Sequence, residues 1–293
     1  MRIGAFELKE PLPELREPHA LATLRPWVDV GNVGSLVLSR LESHFEAKDL
    51  GKLTRPGNFL DFTRYRPTIY WNEGRRQLAI PNVFVTYAKR KEGNDFLFLH
   101  FLEPTTFGEV FVASVLRLLE RFRVKRYCLL GAMYDMVPHT RPLLVTGGGV
   151  GKGAEQDIQK IDVQSSNYQG PTTITYLISQ RAPEIGMETM SLIAHLPQYT
   201  QLDEDYTGRV RLMEVLSSLY NVPVEKADIA KAEHQRQHLD TLLDGNPQLK
   251  GIVGQLETHY DERAARRKEE DMPQLSTEVE SFLREMDRRF REG

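Results

Sequence analysis

One stretch constrains the fold of this chain more than any other. Residues 21–45 read LATLRPWVDVGNVGSLVLSRLESHF: an apolar run, a turn bracketed by glycines, then a helical repeat. Residues 21–28 are short and apolar enough for a buried strand, and residues 35–45 place Leu36, Val37, Arg40, Leu41 and His44 at helical spacing. A strand that turns directly into a helix leaves the first helical N–H groups facing the crevice beyond the strand's carboxyl end, where α/β sheets hold ligands. Gly31 to Ser35 are therefore expected to form a helix mouth with two or more N–H groups facing a pocket, with Asp29 and Asn32 beside it. The same residues also read as a tight turn made by Gly31 and Gly34 with Ser35 as a cap and no ligand. Asp29-Val-Gly-Asn-Val-Gly34 is neither the dinucleotide GxGxxG nor a Walker loop.

Around this unit the chain alternates between strand and helix patterns. Residues 1–20 carry Pro11, Pro13 and Pro18 among alternating charges and read as an extended arm. Residues 68–71, 76–87 and 95–102 read as antiparallel strands joined by turns at Asn72-Glu-Gly and Glu92-Gly-Asn-Asp. Phe59, Phe62, Tyr65, Tyr70 and Trp71 read either as a partner surface or as core. An amphipathic helix is expected over 106–122, a buried strand over 126–131 followed by a turn over 132–142, and a strand over 143–146. The run Gly147-Gly-Gly-Val-Gly-Lys-Gly153 falls one residue short of the phosphate-loop spacing and lacks its Ser/Thr, so it reads as a flexible loop. Helices over 171–180, with Pro171 at the first position, and over 207–220 flank a strand over 190–195. Beyond residue 224 charge becomes denser and strand formers vanish; helices are expected over 225–244, 247–270 and 276–291, the last opened by Thr277 and Glu280 as a capping box.

These patterns predict an α/β chain: a three-layer α/β/α sandwich with a mixed sheet over residues 1–224, followed by a helical segment over 225–293. With 293 residues, 40% of them hydrophobic, it can bury a large core. A net charge of −3 offers no global field for nucleic acid or anionic membrane, and no stretch approaches the roughly 18 apolar residues of a membrane span. The charged start, MRIGAFELKE, does not read as an export signal, so a cytoplasmic protein is expected. Its single cysteine, Cys128, lies in an apolar run and reads as a reduced core thiol.

Candidates for chemistry gather at strand ends. Asp29 follows the first strand, His100 and Glu103 end LFLHFLEP, Asp135 and His139 follow RYCLLG, and His195 ends MSLIAH. If these loops meet, the ligand-binding set is Asp29, Gly31, Asn32, Gly34, Glu103, Asp135, His139 and Arg141. In Pro138-His-Thr-Arg-Pro142 two prolines hold His139 and Arg141 as a carboxylate or phosphate site requires, although Arg141 in a structural ion pair fits equally. His234 and His238 lie four apart but lack the HExxH glutamate, so no metal site is expected. No GxSxG elbow is present, and no cofactor is named by any motif.

Asp29-Val-Gly-Asn-Val-Gly-Ser35, Thr106-Phe-Gly-Glu109, Leu130-Gly-Ala-Met-Tyr-Asp135 with Pro138-His-Thr-Arg141, and Gly170-Pro-Thr-Thr173 together resemble the proteasome assembly chaperone family, over most of residues 20–235. The resemblance implies an α/β/α sandwich laid out like nucleoside phosphorylases and peptidyl hydrolases, and oligomers that scaffold proteasome α subunits; the family is also catalogued beside ATP-grasp proteins. Its chaperones commonly carry a C-terminal hydrophobic-Tyr-X docking tail, where this sequence reads Phe290-Arg-Glu-Gly293. The leading expectation is thus a non-enzymatic, homo-oligomeric scaffold with a protein partner such as proteasome-like subunits. The rival is a nucleoside- or nucleotide-directed hydrolase or transferase using the crevice.

Overall fold

The computed structural model describes residues 1–166 and 168–271, with side chains through residue 265. Two compact units divide between Leu242 and Leu243. The first begins with β1 (Arg2–Ile3), β2 (Phe6–Leu8), β3 (His19–Arg25), α1 (Val33–His44) and β4 (Lys48–Leu53), followed by β5 (Thr68–Asn72), β6 (Arg75–Ala79), β7 (Phe84–Ala88) and β8 (Phe96–Leu102). It continues through α2 (Gly108–Arg121), β9 (Arg126–Asp135), β10 (Val145–Val150), α3 (Lys152–Lys160), β11 (Gln164–Ser165), α4 (Ile174–Arg181), β12 (Glu188–Pro197), α5 (Tyr206–Tyr220) and α6 (Lys226–Asp244). The second unit contains α7 (Pro247–Asp271).

Ten strands form one mixed sheet in the order β1-β2-β4-β7-β8-β3-β9-β12-β10-β11. Its centre, β8-β3-β9-β12, is parallel, and antiparallel pairs flank it from β7 outward on one side and at β12-β10 on the other. Alternation along the central strands feeds two cores. Ala20, Ala22 and Leu24 of β3 join Leu97, Leu99 and Phe101 of β8 under Phe111, Val115 and Leu119 of α2 and Ile178 of α4. On the opposite face Leu21, Phe98, Cys128, Leu130 and Leu192 lie under Val37 and Leu41 of α1 and Leu212 and Leu216 of α5. This is the expected three-layer α/β/α sandwich. Cys128 is fully buried, which pushes its thiol up to about 12.

Several local expectations are corrected. The arm over 1–20 is extended but adds β1 and β2 to the sheet edge, because Phe6 and Leu8 are buried there. The single strand expected over 76–87 breaks at Ile80-Pro81, since proline cannot donate to a ladder; β5 and β6 pair only with each other, and β7 joins the large sheet. The turn expected from Ala132 begins only after Asp135, where β9 runs out of its parallel pairing with β12. The glycine run is not a flexible loop: Gly147 to Val150 are strand, and after Gly151 the residues Lys152 and Gly153 open α3. β10 pairs with β12 across Gly147, Gly148 and Gly149, and a Cβ on Gly149 would sit 2.9 Å from the backbone of Ala154 in α3. Helix α4 starts at Ile174, with Thr173 in extended backbone before it, so Pro171 lies outside the helix. Of the aromatic stretch, Phe59 is buried, Phe62 and Tyr65 pack on the core, and Tyr70 and Trp71 are exposed. α6 and α7 occupy the expected helical stretches, and the expected helix over 276–291 lies outside the described residues.

A buried charge cluster anchors α6. The Asp228 carboxylate accepts from Arg40 Nε and Nη2 of α1, both at 2.8 Å, and from Arg209 Nη2 of α5 at 2.7 Å. Burial alone would raise its pKa, but the two guanidinium groups outweigh that and hold it below the usual range. No helix among the described residues is long and apolar enough to cross a membrane.

Candidate functional site

The sheet topology brings the carboxyl ends of β3, β8, β9 and β12 to one edge, and every strand-end candidate lies along it. At β3 the chain passes through a single 3-10 turn, with Gly31 and Asn32 at positive φ, before α1 begins. Gly31 needs that conformation, and its carbonyl accepts from Asp205 N at 2.8 Å. Asn32 Nδ2 donates to the Asp203 carbonyl. The Asp29 carboxylate turns back onto the helix start, accepting from Ser35 N at 3.1 Å and Ser35 Oγ at 2.6 Å. Burial raises the Asp29 pKa, while the Ser35 and Gly34 hydrogen bonds pull the other way. The expectation that the first helical N–H groups face a pocket is corrected here. An aspartate just upstream of the helix supplies the acceptor itself, as a capping side chain does.

At the end of β8, His100 Nε2 lies 2.9 Å from Glu42 Oε1 of α1. Glu103 Oε1 accepts from Ile174 N, closing the start of α4, while Glu103 Oε2 is buried with no protein partner among the described residues. Burial raises the Glu103 pKa. At the ends of β9 and β12, Asp135 Oδ2 accepts from His195 Nδ1 at 2.7 Å, and His195 Nε2 lies 2.8 Å from Thr146 Oγ1 on β10. In the tautomer whose Nδ1 donates to the carboxylate, Nε2 accepts from the threonine hydroxyl.

The loop between β9 and β10 is clamped separately. His139 N donates to Tyr199 Oη at 2.8 Å, His139 Nδ1 meets the same oxygen, and His139 Nε2 lies 3.1 Å from Asp240 Oδ1 of α6. His139 and Arg141 line one cavity of about 340 Å³ with Arg211 and Glu214 of α5 and Arg236 of α6. In that cavity Arg211 donates to the Leu143 carbonyl and to Asp162.

The sequence-selected residues thus fall into local networks. His139 and Arg141 share a cavity; Asp29, Gly31, Asn32 and Gly34 organise the turn into α1; Glu103 caps α4; Asp135 orients His195. Thr146 and Tyr199 escaped the sequence reading. Each is a partner of a histidine that the reading did select, but across strands or loops whose adjacency no sequence spacing reveals.

The model of the PAC2 family matches residues 23–243. Among solved structures, a Mycobacterium tuberculosis protein of unknown function is 23% identical with a TM-score of 0.80, covering 93% of this chain and 94% of its own. A Corynebacterium glutamicum protein of unknown function is 22% identical with a TM-score of 0.79, covering 90% of this chain and 99% of its own. A Mycobacterium tuberculosis proteasome-assembly chaperone homologue is 20% identical with a TM-score of 0.70, covering 80% of this chain and 99% of its own. At these identities the likeness shows a shared fold. No curated protein matches the chain in sequence.

Proposed function

The chain belongs to the PAC2 family, and from that premise we propose that it is a cytoplasmic, homo-oligomeric interaction scaffold of the proteasome-assembly-chaperone kind, with proteasome-like subunits as its class of client. This role is one of binding and needs no turnover.

The observation that carries the reading is the β5-β6 hairpin. It stands apart from the ten-stranded sheet, and all ten of its strand residues are exposed. Its register places Ile69 opposite Leu78 and Trp71 opposite Arg76 on one face, with Tyr70 opposite Gln77 on the other. The second face is polar, and Tyr70 Oη donates to Gln77 Oε1. The first is apolar, yet Ile69, Trp71 and Leu78 remain 52%, 73% and 57% exposed. A lone two-stranded ribbon is marginal in water, and an amphipathic one gains stability by burying its apolar face on something. In this reading a second copy of the chain covers that face, which requires no partner other than the protein itself, and the resulting assembly presents the surface for clients.

The client half is tested by mixing the purified protein with purified proteasome α-type subunits and separating complexes by size. Co-elution that survives Gln77→Glu but not Trp71→Glu is expected. Separate elution of wild type and subunits at micromolar concentration would remove proteasome-like clients from the account.

A further inference from the structure

The apolar face of the β5-β6 hairpin is small and carries one sign of charge. Ile69, Trp71 and Leu78 leave roughly 400 Å² of apolar surface exposed on it, about half of what each partner in a standard interface buries. Arg76, opposite Trp71, shares that face, and neither strand of the hairpin contains a carboxylate. Two hairpins laid face to face would therefore bury too little and would bring their Arg76 guanidinium groups into one contact, which like charges disfavour. A surface that complements the hairpin must be apolar, similar in size and acidic.

The starts of α2 and α4 have these properties. The two helices begin side by side: a Cβ on Gly108 would lie 3.3 Å from Ile174 Cδ1. Phe107 and Val110 at the start of α2 and Tyr176 and Leu177 at the start of α4 are each between 42% and 64% exposed. Phe111 and Ile178, the residues that follow, are buried in the core, so the four exposed side chains stand on the outer side of the helix layer. Glu109 is exposed in the same first turn of α2. Neither Glu109 nor Arg76 has an ion pair among the described residues. Hairpin and helix starts are different surfaces of one chain, so a contact between them joins copies head to tail and, once the series closes, covers both surfaces on every copy.

We propose that the hairpin of each copy lies on the α2–α4 start of a neighbouring copy, with its apolar face against the four exposed side chains there and Arg76 paired with Glu109. Such a contact presupposes the hairpin-mediated assembly proposed above and names the surface that receives the hairpin.

Sedimentation velocity over a concentration series, together with cross-linking, tests this on the full chain. Arg76→Glu and Glu109→Arg should each weaken assembly by about 10-fold or more, and both changes in one chain should restore it, because the pair forms again with its signs exchanged. Val110→Glu should sediment as a monomer. For cross-linking, Leu78→Cys and Val110→Cys chains are mixed and treated with a short bismaleimide; the native Cys128 is fully buried and does not compete. The mixture should give a product of twice the chain mass, and neither variant alone should. A wild type that is itself monomeric would remove the hairpin-mediated assembly and this contact with it. An oligomeric wild type whose Leu78→Cys chains cross-link to one another, whose mixture gives no product, or whose Arg76→Glu defect is not restored by Glu109→Arg would overturn the α2–α4 surface alone.

Discussion

Gly34→Val should cost this protein a sizeable part of its folding margin rather than a ligand. Gly34 lies in the first turn of α1, where a Cβ would sit 2.7 Å from the Leu130 carbonyl oxygen and 3.0 Å from Asp29 Oδ1, with Thr23 Oγ1 closer still. The Leu130 oxygen belongs to the backbone of a central strand, so relief requires α1 to lift from β3 and β9. Replacing a helical glycine by alanine gains about 1 kcal/mol of helix propensity. Overpacking against rigid neighbours costs about 1–3 kcal/mol, and displacing the Asp29 cap costs about 1 kcal/mol more. Gly34→Ala should therefore be mildly destabilising. Gly34→Val adds two methyl groups and lacks alanine's propensity gain, for a net loss of about 3 kcal/mol or more. In a domain of this size that corresponds to a fall in Tm of about 6–12 °C. Thermal and urea unfolding of both variants, with and without millimolar phosphate, should show the same loss under both conditions. A Gly34→Ala protein more stable than wild type would refute the steric argument, and a phosphate-dependent shift confined to wild type would return the α1 turn to the list of ligand sites.

Two further outcomes follow from buried charge. His19, at the start of β3, is held near a pKa of about 4 by burial and then by the Arg126 charge, with its Nδ1 on Tyr220 Oη. The unfolded chain binds a proton below about 6.5 that the folded chain refuses, so stability should fall by about 1.4 kcal/mol per pH unit as pH drops from 6.5 towards 4, about 3 kcal/mol in all. Urea unfolding across that window should show this slope in wild type and lose that component in His19→Gln; identical slopes would contradict it. Asp228→Ala leaves Arg40 and Arg209 facing each other without their carboxylate, and should cost about 3–5 kcal/mol with earlier proteolysis between α5 and α6. Equal stability of wild type and Asp228→Ala would show that the cluster does not anchor α6.

Much of the fold was legible because its signals are local. The apolar runs at β3, β8 and β12 and the helical repeats of α1, α2 and α5 are all in the three-layer sandwich. The start of β10 was legible as a strand, but its glycine half was not, since glycine ordinarily weakens a strand; only the approach of Ser191 and Ala154 from elsewhere in the chain makes it the required residue at Gly147 and Gly149. The separate hairpin was hidden for a related reason: its strand pattern is clear, but nothing in it says that no core lies beneath. Among the candidate residues, Asp135 and His195 could be picked as strand-end groups. Their connection to Thr146 depends on the β12-β10 pairing, and that of His139 to Tyr199 on a contact between two loops. Asp29 was legible as a residue of the α1 turn, but its reach back to Ser35 is a matter of backbone geometry.

The account rests most on the exposed apolar face of β5-β6 being a contact surface between copies of the chain. Sedimentation velocity at tens of micromolar measures this directly against a monomer mass of 33.7 kDa. Wild type and Gln77→Glu, altered on the polar face, should sediment as the same multiple of that mass. Trp71→Glu and Leu78→Glu should sediment as folded monomers, because both side chains are largely exposed on their own chain. A wild-type protein that sediments at 33.7 kDa, or a Trp71→Glu protein that keeps the wild-type mass, would contradict the account.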